Sequence, residues 1–98
     1  GQEFKWVVHC HKEPYDVFIG RPSRFGNPFH IGQDGSRREV IQRFENYLWS
    51  RPDLIKIVRA ELAGKVLGCY CDPLACHGDV LARIANGFNY HHYEKIVD

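Results

Sequence analysis

A chain of 98 residues has material for one small domain, which buries roughly 60 to 70% of its unfolded surface and leaves no room for a second. Its apolar share of 44% and aromatic share of 13% exclude a disordered, charge-dominated chain. Thirteen Lys and Arg against twelve Asp and Glu give a formal net charge of +1, so no global field draws the chain to nucleic acid or anionic lipid, and any anion site must be local.

Lys5 to Cys10 reads as a first strand around Trp6, Val7 and Val8, and Val17, Phe18 and Ile19 as a second, stopped by Gly20. The segment from Gly20 to Phe29 holds Pro22, Gly26 and Pro28, which forbid regular structure and predict an ordered loop. Ser36 with Glu39 three residues on is a capping box, and Val40, Ile41, Phe44, Tyr47 and Leu48 repeat behind it, predicting a helix from about 37 to 49. Ser50 to Asp53 repeats the capping pattern, with Pro52 in the first turn of a second helix that carries Leu54, Ile57, Val58 and Leu62 and stops at Gly64. Lys65 to Cys71 is a near-continuous apolar run, the pattern of a central strand buried on both faces of a parallel sheet. Asp79 to Ala85 forms an amphipathic helix, ended by Asn86 and Gly87. The aromatic tail from Phe88 to Asp98 offers an edge strand or a cover for the sheet.

Two places concentrate chemistry. Cys69, Cys71, Cys76 and His77 crowd into nine residues between the central strand and the last helix, where helix N-termini present free N–H groups to ligands. A Cys76 thiolate there would sit in a stabilising field, with His77 as base or orienting group, which makes Cys76 a candidate nucleophile. The same four residues are the ligand types of tetrahedral zinc, although a knuckle-like spacing is missing, and Cys69 and Cys71 also fit as small buried hydrophobes. In the loop, Gly20 and Gly26 would let the backbone approach a ligand, Arg21 and Arg24 could hold a phosphate, and Ser23 and Asn27 add polar contacts. Phe25 and Phe29 read as core plugs. His9 and His11 share one side of a strand end, and Arg37, Arg38 and Arg43 read as exposed helix charges unless the fold aligns them with Arg24.

The run Tyr15 to Arg21, the tetrapeptide Gly26-Asn27-Pro28-Phe29, the strand Gly64 to Cys71, and Pro73 with Cys76-His77-Gly78-Asp79-Val80-Leu81 together resemble the DUF4326 family of bacterial, archaeal and phage proteins, from about Val7 to Asn86. The Cys-His end is also distantly similar to DUF488 proteins. The resemblance implies a site at Arg21, Asn27, Cys71, Cys76, His77 and Asp79 without specifying its chemistry.

The sum is a single α/β domain, Rossmann-like, with a mainly parallel sheet and flanking helices. No apolar stretch approaches the ~20 residues of a membrane span, and the N-terminus lacks a signal-peptide pattern, so the chain is expected in the cytoplasm, with no membrane partner. The expected function is binding, and processing, of a phosphate-containing nucleotide or nucleoside derivative in nucleotide or nucleic-acid modification, with Cys76, His77 and Asp79 at the reacting bond. A non-catalytic module for nucleic acid or protein, and a zinc-stabilised domain, are the alternatives. A homodimer fits a domain of this size.

Overall fold

The computed structural model describes residues 5–72 and 74–87, so the expectation for the aromatic tail, residues 88–98, lies outside the described residues. Three strands, β1 (Val7–His9), β2 (Val17–Phe18) and β3 (Leu67–Cys69), and three helices, α1 (Arg37–Trp49), α2 (Pro52–Leu62) and α3 (His77–Ala85), follow in the order β1-β2-α1-α2-β3-α3. Both β1 and β2 pair in parallel with β3, so the last of the described strands in sequence is the central one.

The strands are shorter than their apolar runs, because only two residues of β3, Leu67 and Gly68, have partners on both sides. Period-2 alternation then sorts the sheet into two faces. Val7, Val17, Ile19, Leu67 and Cys69 join the core that the helices share. Gly68 alternates to the opposite face, under the Tyr15 ring: a Cβ on Gly68 would stand 2.6 Å from Tyr15 Cγ. The described helices thus bury one face of the sheet, and the other carries aromatic side chains, including a Phe18–Tyr70 edge contact at 5.5 Å. β3 is buried along its length, as its apolar run predicts, with Gly68 beneath the Tyr15 ring on the face away from the helices.

Helix α1 begins where its capping box predicts, with Ser36 Oγ accepting from Glu39 N–H and Glu39 Oε1 accepting from Ser36 N–H. It buries Val40, Ile41, Phe44 and Leu48. Ser50 does not cap α2: its hydroxyl donates to Tyr47 O at the end of α1, and Arg51 takes the N-cap place without a side-chain bond. Pro52 supplies the fixed φ that starts α2 instead. Ile55, Val58 and Leu62 bury its inner face, and Gly64 at φ +72° turns the chain out of the helix.

Helix α3 starts two residues earlier than predicted. Cys76 is its N-cap, with Sγ accepting from Gly78 N–H at 3.3 Å while Asp79 Oδ2 accepts from Cys76 N–H at 3.0 Å. Gly78 lets this first turn lie directly on the sheet, since a Cβ there would come 2.7 Å from Ile19 Cδ1 and 3.2 Å from Val7 Cγ1. That close approach fixes where the first turn of α3 meets the sheet.

Candidate functional site

A cleft of about 280 Å³ opens between the Gly20–Ile31 segment, the first turns of α1, the end of β3 and the start of α3. It sits at the carboxyl end of the central strand, where parallel sheets present their ligand sites. Its floor is Cys69 and Cys76, and its rim carries Arg21, Arg37 and His30 with the rings of Phe29 and Tyr70. Among the described residues no carboxylate lines it.

The two floor cysteines are buried, and their sulfurs are 3.3 Å apart without a disulfide. Cys69 accepts from the Cys76 thiol and from the amides of Cys71 and Asp72, which draws its pKa from 9.0 to about 6 against the opposing effect of burial. Cys76, as the donor of that sulfur–sulfur contact, is pushed up, and burial adds to the shift. The pair therefore gives up one proton early and holds the second, with the thiolate on Cys69. The sequence points to Cys76 as the nucleophile, whereas the lowered pKa lies on its neighbour Cys69.

His77 does not reach the thiols as a base. Its Nε2 faces Ile19 O at 2.8 Å, which makes Nε2 the protonated nitrogen, and its ring meets Phe44 edge-on at 5.2 Å. Burial lowers its pKa, and the Arg21 charge adds to the shift, against the Ile19 carbonyl and Asp79. A neutral imidazole thus pins the end of β2 to α3. Asp79, also expected at the reacting bond, spends a carboxylate oxygen on the Cys76 amide as half of a capping box.

The loop residues divide in the same way. Arg21 reaches the cleft, with one N–H donating to Asn27 O at 2.6 Å and the rest of its fork open to donate elsewhere. Arg24 turns away to an ion pair with Glu61 of α2 and a cation–π contact on Phe25. Asn27 is buried and spent on the protein: Nδ2 donates to Val40 O and Oδ1 accepts from Phe29 N–H. Ser23 lies outside the cleft lining, its amide bonded to Gly20 O and its buried hydroxyl without a hydrogen-bond partner. Gly20 and Gly26 make room for the chain itself, since a Cβ would meet the Phe18 ring in one case and the Arg21 backbone in the other. Phe25 is the buried plug expected of it, and Phe29 packs half-buried between core and cleft.

The largest addition to the predicted set is Arg37. It looks like an ordinary first-turn charge in sequence, yet its guanidinium donates to Ala75 O, 38 residues away, and lines the cleft beside Cys76. The fold aligns it with Arg21 and not with Arg24. His30, Ile31 and Tyr70 are likewise cleft residues that nothing in their local spacing marks. As zinc ligands, Cys69, Cys71, Cys76 and His77 do not converge: Cys71 reaches the cleft, but the His77 Nε2 is committed to a carbonyl, and no group of three or more metal-ligating side chains forms among the described residues. No helix of the described residues is long and apolar enough to cross a membrane.

An uncharacterised 12.4 kDa protein of the nrdA-td intergenic region of Enterobacteria phage T4 is 39% identical over 84 residues, covering 82% of this chain and 76% of the phage protein. An uncharacterised protein of Acanthamoeba polyphaga mimivirus is 34% identical over 87 residues, covering 70% of this chain and 65% of the viral one. No solved structure matches. The family model of the domain of unknown function DUF4326 matches residues 7–87, which spans the three strands, the three helices and the cleft, and the chain belongs to that family.

Proposed function

We propose that the cleft binds a small anionic molecule of the nucleotide or nucleoside-derived class, and that the Cys69–Cys76 pair is the reactive group beneath it. The observation that carries this reading is the lining: Arg21, Arg37 and His30 converge at the carboxyl end of a parallel strand with no carboxylate among them. Two planar guanidiniums suit phosphate oxygens, while Phe29 and Tyr70 offer faces to a planar ring. A volume of about 280 Å³ lies at the lower end of small-molecule sites, ~300–1,000 Å³, and favours a mononucleotide or smaller ligand over a dinucleotide.

The parallel order β1-β3-β2 with its site beyond the strand ends supports a minimal Rossmann-like reading of the sheet. Four unpaired cysteines support a reducing compartment, the cytoplasm.

Titration calorimetry with nucleoside monophosphates, the corresponding nucleosides and inorganic phosphate tests the reading. Saturable binding of a monophosphate, weakened about tenfold or more (~1.4 kcal/mol) by Arg37→Ala and unaffected by Arg24→Ala, supports it. Saturable binding of oligonucleotides with none of monophosphates would replace it by a nucleic-acid-binding module.

A further inference from the structure

The cysteine pair carries a second inference that stands whether or not the cleft takes a nucleotide. Both sulfurs line the cleft, yet the residues are only 1% and 3% exposed. A bulky disulfide substrate has no approach to such a pair, whereas a reagent close to water in size does. The separation of 3.3 Å must shrink by only ~1.2 Å to reach the ~2.05 Å of a disulfide. One sulfur sits on the last residue of β3 and the other on the N-cap of α3, so the bond would staple strand to helix across the floor of the cleft.

We propose that Cys69 and Cys76 form a peroxide-reactive dithiol that reduces a small hydroperoxide and closes to an intramolecular disulfide. The Cys69 thiolate attacks the peroxide oxygen, the O–O bond breaks, and Cys69 becomes a sulfenic acid as hydroxide leaves. The Cys76 sulfur then attacks the Cys69 sulfur, the S–O bond breaks, and the Cys76 proton and the departing hydroxide form water. For hydrogen peroxide the sum is one dithiol and one peroxide giving one disulfide and two waters, with two electrons passing from sulfur to oxygen. Once unfolding opens the site, a dithiol such as dithiothreitol returns the pair to its reduced form by exchange.

The geometry assigns distinct places to the two cysteines. Cys69 attacks because its sulfur accepts from the Cys71 and Asp72 amides as well as from Cys76, bonds that outweigh burial and the Asp79 charge. Cys76 resolves because it already touches Cys69. Cys10 and Cys71 are half-buried and take no part.

The test treats the reduced full chain with one equivalent of hydrogen peroxide and reads intact mass, free thiols and the cross-linked peptides. Cleavage after Tyr70 and before Asp72 separates Cys69, Cys71 and Cys76. The expected result is a loss of about 2 Da, two of the four thiols consumed, a Cys69–Cys76 linkage, and reversal by dithiothreitol once the chain is denatured. Cys76→Ser should stop at a sulfenic acid on Cys69, read as a gain of about 16 Da and trapped by dimedone when the chain is denatured in its presence. Cys10→Ser combined with Cys71→Ser should react as the parent chain does. Four surviving thiols, a linkage through Cys10 or Cys71, or oxygen added without any linkage would each overturn the proposal, and the wild-type mass map decides this even if a variant fails to fold.

Discussion

Asn27 and Arg24 stand three residues apart in one loop and have opposite fates. Asn27 is 8% exposed, and the two ends of its amide satisfy backbone groups of α1 and of its own loop. Its removal leaves the Val40 carbonyl and the Phe29 amide without those bonds, a penalty of about 1–3 kcal/mol for each group that stays dry. The Arg24 side chain is 60% exposed in its pair with Glu61, and such pairs contribute ~0–1 kcal/mol. Asn27→Ala should therefore lower the urea midpoint by the equivalent of about 2 kcal/mol, while Arg24→Ala should change it by less than ~1 kcal/mol. Equal losses in denaturant titrations of the two variants would show that Asn27 is not the loop's fastener. The contrast also explains what sequence could and could not tell at this scale. Gly26-Asn27-Pro28-Phe29 announces a constrained loop, but an asparagine that serves the backbone and one that serves a ligand look the same until Val40 and Phe29 stand beside it.

At the scale of elements, helices were more legible than strands, for a physical reason. A capping box and a 3.6-residue period are local signals, so α1 falls at 37–49 as its sequence says. A strand ends where its partner ends, and the apolar runs at Lys5 to Cys10 and Lys65 to Cys71 do not record that limit. Helix α3 starts earlier than its sequence says because cysteine is outside the usual N-cap set of Ser, Thr, Asp and Asn, so the capping box of Cys76 and Asp79 gives no familiar signal. Arg37 was missed because its meeting with Ala75 spans 38 residues. Two substitutions test the account of α3. Gly78→Ala should destabilise by about 1–3 kcal/mol through overpacking against Ile19 and Val7, despite alanine's better helix propensity; a neutral or stabilising effect in thermal unfolding would mean that helix and sheet are not in tight contact. Cys76→Ala should cost ~0.5–2 kcal/mol as a lost cap, and Cys76→Ser less, since serine caps well. If the alanine variant proves as stable as the serine one, Cys76 has no capping role.

For the whole molecule, the buried titratable groups fix how stability responds to pH. His77 has its pKa lowered from 6.5 in the folded state by burial, under the opposing influences of Arg21 and Asp79. The unfolded chain therefore binds the His77 proton first, and its contribution is complete above pH 6.5 and fades as pH falls below it. Cys69 titrates at about 6 when folded and at 9.0 when not. Between those values the unfolded state again holds more protons, so stability rises with pH across that window. Cys76 has the opposite sign: its folded pKa lies above 9.0, with Cys69 and Asp79 opposing its ionisation, and its contribution is lost as pH climbs past 9.0. The pair's share of stability should thus climb from pH 6, crest near pH 9 and then fall. Denaturant titrations at half-unit steps from pH 5 to 10, taken as the difference between the parent chain and a Cys69→Ser, Cys76→Ser double variant, isolate that share from the other ionisable groups. His77→Gln should flatten only the limb below pH 6.5. A difference curve with no slope between pH 6 and 9 would mean that the thiols do not share a proton, and would remove the thiolate from the floor of the cleft.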